Sequence, residues 1–404
     1  MQEMIAFTEA RAIVLEHVHP LGTVRIDLEE ALHATLADDV VSRDAIPPFD
    51  NSAMDGFALR SDDVREAGRS LEIVGETAAG SAESPDVSQG TCVRIMTGAP
   101  MPEGADAVLP IEVASVNDAG RTVTFEKAAA PGENVRRSGE DIQPGARVLE
   151  AGHVVGPPEI AVLASLGYAH VDVARPPSVS IVTTGDELIE PSEPLRPGKI
   201  RDTNGPALAA QVNMAGGRVI GRFRARDERA DVRSTLADAM RADVLIVSGG
   251  ISVGEYDFVK DELEALGMEL LFWRVRQRPG KPLAFGLLDG KPVFALPGNP
   301  VSSAVCFEIY VRCALAAMLG RREVVRPTEP AILGSGISKR HGLHYFARGR
   351  SSWSDGRLVV EPAKRQGSHV ASSLVEADGL IHLSEELDAA PAGTKVPFER
   401  LRNA

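Results

Sequence analysis

The feature that most constrains the fold is a strand–loop–helix order that repeats between residues 178 and 319. Short apolar strands are predicted at 178–183, 218–225, 243–247 and 292–296, and each precedes a polar loop and a helical segment. The strand at 243–247 is almost wholly apolar, which is typical of a parallel strand buried on both faces. Because such strands are joined by right-handed crossovers, the pattern predicts a doubly wound α/β domain over residues 175–325.

Three further units are predicted on either side of this domain. Helices are predicted at 8–18, 27–36 and 157–166, and alternating strands at 92–96, 105–113, 122–126, 345–353, 357–361, 380–383 and 395–401. Residues 1–44 and 136–174 are expected to form one discontinuous linker domain, so that the β-rich residues 45–135 are an insertion. Residues 326–404 predict a small β-barrel or sandwich with a hairpin turn at Ser354-Asp355-Gly356.

Composition restricts the partners and the compartment. The 404 residues carry a formal net charge of −14, from 43 basic and 57 acidic side chains, which argues against a nucleic-acid partner. There is no run of eighteen consecutive apolar residues and no signal-like N-terminus, so no membrane association is expected. Three cysteines are too few for a disulfide framework. A cytoplasmic protein is predicted.

Three polar loops follow strands of the predicted sheet, at residues 184–187, 248–254 and 297–303. Ligands of open α/β sheets bind beyond the carboxyl ends of the strands. Glycine allows the backbone to approach a phosphate, and the N-terminus of the following helix favours an anion. Asn299 as N-cap and Pro300 as first helical residue fit this geometry. Short turns with ordinary caps are the alternative, but three such loops at one sheet edge favour a phosphate-bearing ligand.

Standard fingerprints are absent, since neither GxxxxGK[ST] nor GxGxxG after a strand occurs. Gly250-Ile251-Ser252-Val253-Gly254 matches the G-x-S-x-G pattern of hydrolases and would make Ser252 a nucleophile, with His341, His344 or His369 as its partner. An extra glycine separates the motif from its strand, no oxyanion loop precedes it, and the histidines lie in another unit. Hydrolase chemistry is therefore disfavoured.

Acidic and basic side chains suggest a metal and an oxyanion. Six carboxylates lie in predicted loops without Cys or His beside them, which favours magnesium that bridges phosphates. Each carboxylate could equally cap a helix or face solvent. The six residues are Asp55, Asp141, Asp186, Glu187, Asp227 and Asp257. Arg274, Arg276 and Arg278 alternate, so a strand would place them on one face. Such a row of arginines can either face solvent at the edge of a sheet or form a binding site for a tetrahedral anion.

The motifs together resemble those of the molybdopterin molybdenumtransferases, the family of MoeA and the gephyrin E-domain. The matching segments are 48–58 (PFDNSAMDGFA), 96–100 (MTGAP), 104–108 (GADAV), 136–142 (RRSGEDI), 183–188 (TTGDEL), 248–254 (SGGISVG), 279–282 (PGKP) and 296–302 (LPGNPVS). Their order and spacing match over nearly the whole chain.

The resemblance implies an elongated homodimer of four-domain subunits that inserts molybdate into adenylylated molybdopterin and releases AMP with Mg²⁺. Its active site would lie between the α/β and C-terminal domains of one subunit and the β-rich domain of the other. Catalytic residues would be Asp55, Thr97, Asp141, Glu187, Asp227 and Asp257, of which the metal ligands would be Asp141, Glu187, Asp227 and Asp257. Molybdate would meet Arg274, Arg278, Arg348 and Ser368. Substrate would bind Thr184, Gly185, Asp186, Asn204, Ser248, Gly249, Gly250, Ser252, Pro297, Gly298, Asn299, Pro300 and Ser302.

Two departures from the family pattern bear on this expectation. Arg274 and Arg278 stand where lysines are expected, so positive charge is kept but a role for a neutral lysine is excluded. Phe57 stands where tyrosine is common. A molybdopterin adenylyltransferase and molybdoenzyme maturation factors are implied as partners. The alternatives are that the chain is itself a molybdopterin adenylyltransferase, or a non-enzymatic pterin-binding scaffold, and tungstate remains an alternative oxyanion.

Overall fold

The computed structural model describes residues 2–81, 83–251 and 258–401. Its central layer, within those ranges, is a seven-stranded sheet that confirms the doubly wound α/β prediction. In spatial order the strands are Gln2–Ile5, Glu269–Val275, Ala284–Leu288, Lys291–Leu296, Val244–Ser248, Ser178–Thr184 and Arg218–Ala225. The last four run parallel, and the hairpin Ala284–Leu288 with Lys291–Leu296 is antiparallel.

Helices cover both faces of this sheet and bury two separate cores. One core includes Val212, Phe285 and Leu315, and the other includes Leu236, Val247 and Leu263. The helices of this domain are Asn204–Met214, Arg229–Ala239, Val259–Ala265, Pro300–Cys306 and Arg312–Met318, the last two being joined by a π-helical turn at Phe307–Val311. Because both faces are covered, the central parallel strands Ser178–Thr184 and Val244–Ser248 are almost wholly buried, whereas residues of the edge strand Arg218–Ala225 are mostly exposed or partly buried.

The segment Pro300–Met318 is long and apolar enough to cross a membrane by composition alone. However, 83% of its most apolar window is buried within the protein. Residues such as Val305, Tyr310 and Leu315 contribute to the core of the α/β domain. The apolar character of this helix is therefore explained by packing.

The first residues of the chain pack on the α/β domain rather than with the predicted linker unit. Gln2–Ile5 forms the parallel edge of the seven-stranded sheet beside Glu269–Val275. The helix Phe7–Glu16 buries Ala10 and Val14 in the same core. The amphipathic pattern predicted this helix correctly, but such a pattern does not specify which core it joins.

The discontinuous linker unit is held together by two antiparallel pairs, Thr23–Asp27 with His170–Ala174 and Val40–Val41 with Arg147–Leu149. The helix Pro157–Ser165 packs there through Leu163. The predicted helix at 27–36 is wrong, because only a 3₁₀ turn forms at Leu28–Glu30. Pairing of the preceding strand fixes that segment, and tertiary contacts override the local spacing of apolar residues.

The β-rich unit and the C-terminal unit each contain their own sheet. In the β-rich unit the spatial order is Ala107–Pro110, Gly56–Leu59, Thr91–Ile95, Ser70–Thr77, Thr122–Phe125 and Ala114–Val116. In the C-terminal unit His344–Ser354, Arg357–Pro362, Thr328–Leu333, Lys395–Arg400 and Gly379–Leu383 close into a barrel, because the first strand also pairs with the last. Asp355 and Gly356 have φ values of 50° and 70°, as the predicted hairpin turn requires.

A partly buried ion pair ties together the starts of two adjacent parallel strands. Asp243 accepts hydrogen bonds from both terminal nitrogens of Arg175 at 3.0 Å and from the backbone N–H of Ser178 at 2.8 Å. Burial alone would raise the pKa of Asp243, but these donors outweigh it and lower the pKa to about 2. A lowered pKa stabilises the fold above the ordinary pKa of the group, and this contribution is lost as the pH falls towards 2.

We expect Asp243→Asn to lower the free energy of unfolding at pH 7 by about 2 kcal/mol, because Arg175 loses its counter-charge. The loss should shrink as the wild type is acidified below pH 4, where protonation begins to remove the same contribution. Urea unfolding at several pH values measures both effects, with the exposed Asp118→Asn as control. An equal loss at pH 7 and pH 2.5 would contradict the assignment.

Candidate active site

Three strand-end loops converge at the carboxyl edge of the parallel strands. Gly249 has φ 107°, and a Cβ atom added to it would lie 2.7 Å from Thr184 Oγ1 and 2.8 Å from the Thr184 carbonyl oxygen. A Cβ added to Gly298 would lie 3.6 Å from the Cα of Gly249. The loops after three neighbouring strands therefore meet as their positions in the sequence predicted. Their proposed roles in substrate binding remain predictions.

A polar network joins these loops to the start of the helix Asn204–Met214. The Asn204 side-chain amide donates to Ser248 Oγ at 3.0 Å and to the Gly298 carbonyl at 2.7 Å. Ser248 Oγ in turn lies 3.3 Å from the Pro297 carbonyl and from Ser303 Oγ. By contrast, the buried hydroxyl of Thr184 has no hydrogen-bond partner among the described residues. A buried hydroxyl without a partner beside three glycines is a donor available to a ligand oxygen.

We expect Gly249→Ala to reduce the free energy of unfolding by about 2 kcal/mol, because alanine is strained at this φ and its Cβ would strike Thr184. Gly298→Ala is the matched control, since its added Cβ would lie 3.6 Å from the Cα of Gly249, which is an ordinary van der Waals contact. Thermal unfolding of both variants measures the difference. Equal melting temperatures for the two variants would show that the close approach does not constrain the loop.

The third loop starts the helix Pro300–Cys306 as predicted, with Asn299 at the N-cap position and Pro300 first in the helix. The Asn299 side chain makes no capping hydrogen bond. Instead, the backbone N–H of Val301 donates to the Ser368 carbonyl at 3.0 Å. Buried Ser302 follows on the first turn. This contact brings a C-terminal segment, including Ser368, directly onto the strand-end loop.

Arg348 is the largest fully buried side chain of the molecule as described, with 1% of its surface exposed. It donates from Nε to Ser373 Oγ at 3.1 Å and from Nη2 to the Arg365 and Gly367 carbonyls at 3.2 Å. Its other terminal nitrogen, Nη1, has no hydrogen-bond partner in the described chain. Burial, with the nearby charge of Arg278, lowers the pKa of Arg348. A buried guanidinium with a free donor suits an oxyanion.

The three alternating arginines do not form one row. The strand Glu269–Val275 ends after Arg274, whose φ of 64° breaks the two-residue alternation. Arg274 stacks on Trp273, 3.9 Å from its ring centre, and pairs with Glu3, whereas Arg276 pairs with Glu385. The prediction of a single arginine face is therefore wrong.

Arg278 lies apart from these two arginines. It is exposed and lies over the ring of Tyr345, at 5.1 Å, on the barrel strand that also carries Arg348. The two-residue strand Gln277–Arg278 pairs in parallel with that barrel strand. Arg278 therefore joins Arg348 and Ser368 at the junction between the α/β domain and the barrel.

The predicted acids that the structure describes fall into three places: the sheet edge, the β-rich unit and the linker unit. Asp186 and Asp227 lie together at the sheet edge, since each carboxylate accepts the other's backbone N–H, at 3.2 and 3.3 Å. Glu187 folds back, so that a Cβ on Gly185 would lie 2.5 Å from its carboxylate. In the three described ranges, no group of three or more His, Cys, Asp or Glu side chains is arranged to hold a metal ion. Asp257 and Ser252 lie outside the described residues.

Asp55 and Thr97 form a separate pair on the β-rich unit. One Asp55 oxygen accepts the backbone N–H of Thr97 at 2.7 Å and its hydroxyl at 2.8 Å, and these two bonds lower the pKa of Asp55. Asp141 is exposed in the linker unit. Among the hydrogen bonds and ion pairs of the described chain, none joins Asp55 or Thr97 to the strand-end loops.

Two further residues order the site but were not predicted. Asp202 is buried, accepts the Thr183 hydroxyl at 3.1 Å and the Gly205 N–H at 2.9 Å, and so fixes the entry to the helix that carries Asn204. The Asp-Thr-Asn run before a helix was the available signal for it. Gln366 supports Arg348 by accepting its backbone N–H at 3.1 Å and donating to its carbonyl at 2.7 Å. No local pattern marks that glutamine.

Comparisons with known proteins agree with this arrangement. Family models match residues 5–167 as the MoeA N-terminal region, domains I and II, and residues 330–401 as the MoeA C-terminal region, domain IV. Residues 180–317 match a probable molybdopterin binding domain. The chain is 37% identical over 400 residues to the molybdopterin molybdenumtransferase of Haemophilus influenzae, covering 98% of both chains. The chain belongs to the MoeA family.

Other relatives extend this result. A molybdopterin molybdenumtransferase of Bacillus subtilis is 34% identical over 377 residues, covering 92% of this chain and 86% of the relative. The solved structure of a molybdopterin biosynthesis MoeA protein from Pyrococcus horikoshii has a TM-score of 0.84 at 29% identity and covers 98% of this chain. The four-unit architecture described above is thus that of the MoeA fold.

Proposed function

We propose that this chain is a molybdopterin molybdenumtransferase of molybdenum cofactor biosynthesis, which inserts molybdate into adenylylated molybdopterin and releases AMP. The observation that carries the proposal is the contact of Ser368 with the strand-end loop at Val301, next to buried Arg348, which donates to the adjacent Gly367 carbonyl. That junction places an unpaired guanidinium donor beside a loop set suited to phosphate. Full-length similarity to proteins named for this transfer supports the same reaction.

In this proposal the loops bind the pterin phosphate and the junction binds molybdate. The hydroxyl of Thr184 and the backbone of Gly249 and Gly298 approach the phosphate without side-chain interference. Arg348 donates to a molybdate oxygen, and Arg278 adds positive charge from the open side. These fixed donors hold the oxyanion near the phosphoanhydride and stabilise negative charge as AMP leaves.

Magnesium dependence is part of the proposal. The carboxylates at the sheet edge, Glu187 and Asp227, are oxygen donors without nearby Cys or His ligands, which suits Mg²⁺. Magnesium commonly uses one or two carboxylates together with substrate phosphates, so a cluster of three protein acids is not required. When bound, Mg²⁺ would offset charge on the phosphoanhydride. Asp141 and Asp257 complete the predicted set of ligands.

The position of Asp55 and Thr97 supports a proposed homodimer. These residues are fixed on the β-rich unit without a bond to the strand-end loops of the same chain in the described ranges. We propose that they complete the site of a second copy. We further propose that the protein works in the cytoplasm with a molybdopterin adenylyltransferase as donor and molybdoenzyme maturation factors as acceptors, and without nucleic-acid or membrane partners.

AMP release tests the reaction directly. Purified protein is incubated with adenylylated molybdopterin, molybdate and Mg²⁺, and AMP is quantified with and without each component. Release should require molybdate and should be abolished in the double variant Asp55→Asn, Asp257→Asn. Adenylylation of molybdopterin from ATP would instead indicate the adenylyltransferase alternative, and tight pterin binding without turnover would indicate a scaffold.

A further inference from the structure

A large cavity lies between the α/β domain, the linker unit and the barrel. Its volume is about 990 Å³. One wall is the outer face of the helix Asn204–Met214, where Ala207, Ala210 and Met214 line it. The cavity begins at Ala207, about one helical turn beyond Asn204, and Ala304 lines it directly after the loop 297–303. It therefore adjoins the strand-end loops, but neither Asn204 nor the loop glycines line it.

Arginines dominate the opposite wall of this cavity. Arg312, Arg321 and Arg326 line it from the segment that leaves the α/β domain, and Arg348 lines its far end. Glu308 pairs with Arg326 and lies 3.9 Å from Arg312 Nε. Within the described residues, no carboxylate pairs with Arg321, whose Nε donates to Thr35 Oγ1 at 3.2 Å. The wall thus carries positive charge that protein acids do not neutralise.

Buried atoms without hydrogen-bond partners lie on both walls of the cavity. Three of the buried side-chain nitrogens and oxygens that lack hydrogen bonds in the described ranges belong to lining residues: Gln211 Oε1, Arg312 Nε and Arg348 Nη1. Arg312 is 8% exposed. Arg321 lines the same cavity as Arg312, and burial together with the charge of Arg312 lowers the pKa of Arg321. The other guanidinium nitrogens of Arg312 and Arg348 have protein acceptors, but leaving Arg312 Nε and Arg348 Nη1 buried without hydrogen bonds is costly unless an anion occupies the cavity.

We propose that this cavity binds a small organic phosphate monoester. Arg312 and Arg321 meet the phosphate, since paired guanidiniums bind tetrahedral oxyanions through several donors. The alanine-lined helix face receives an apolar body, and the volume is far larger than an inorganic ion requires. Sites that combine an apolar wall with a few convergent polar groups are typical of small-molecule pockets. The cavity shares only Arg348 with the proposed transfer site, and its phosphate donors, Arg312 and Arg321, are not part of that site.

Isothermal titration of the purified full-length chain with phenyl phosphate tests the site, with phenol and inorganic phosphate as comparison probes. Phenyl phosphate should bind more tightly than either probe. Arg321→Gln removes an anion donor, and Ala210→Trp fills the apolar half without changing charge. Each should weaken binding by at least about tenfold. The exposed controls Arg357→Gln and Ala237→Trp should bind as the wild type does.

A third variant separates this cavity from the strand-end loops. Asn204→Ala disturbs those loops, since it removes the bonds to Ser248 and Gly298, and should leave phenyl phosphate binding unchanged. Loss of binding in Asn204→Ala together with retention in Ala210→Trp would place the phosphate in the loops and overturn the proposal. Absence of measurable binding to the wild type would also overturn it.

Discussion

Arg348→Met should reduce molybdate-dependent AMP release by about 10²- to 10³-fold, because a preorganised donor to the oxyanion is removed. The guanidinium is already held in place by Ser373 and two backbone carbonyls, so its free Nη1 needs no reorganisation to meet the substrate. The rise in KM for molybdate, relative to the change in kcat, separates a binding role from a transition-state role.

Two companion variants sharpen the result. Arg348→Lys keeps the charge but loses the planar fork, and should still cost about tenfold or more in kcat/KM. Arg350→Met, two residues along the same barrel strand and exposed, should leave activity unchanged. Activity of Arg348→Met within a factor of about two of the wild type would remove Arg348 from the site. Circular dichroism of each variant establishes that the barrel is folded.

Local sequence patterns predicted most of the α/β domain because its central strands are apolar on both faces and its helices are long enough to show periodicity. The strand at 218–225 was predicted with the bounds that the structure has. The meeting of Thr184, Gly249 and Gly298 also followed from sequence, since parallel strands bring their carboxyl ends to one edge. Glycine at those positions then indicated close backbone approach.

The remaining features depend on contacts between distant residues. The sequence of residues 27–36 alone predicts a helix. That helix does not form because the strand Thr23–Asp27 pairs with His170–Ala174, and this pairing is not visible in the local sequence. The positive φ of Arg274 is likewise set by pairing with two neighbouring segments, Gln2–Ile5 and Ala284–Leu288. The contact of Ser368 with Val301 joins residues far apart in sequence, and the family motifs were the only signal for it.

Mixing two inactive variants should restore activity if the site is shared between subunits. Asp55→Asn damages the β-rich side of the proposed site, and Arg348→Met damages the α/β and barrel side. In a heterodimer of the two, one composite site carries both substitutions and the other carries neither. Random reassociation therefore should recover about one quarter of wild-type AMP release, since about half of the dimers are mixed and each has one intact site.

Mixing Asp55→Asn with Thr97→Val provides the matched control. Both residues lie on the β-rich unit, so each site of their heterodimer contains one damaged side chain and no recovery is expected. Size-exclusion chromatography with differently tagged chains measures the fraction of mixed dimers, which sets the recovery expected in each experiment. If abundant mixed dimers of Asp55→Asn and Arg348→Met stay inactive, each site is built within one chain, and Asp55 must then reach the strand-end loops by movement of its own β-rich unit.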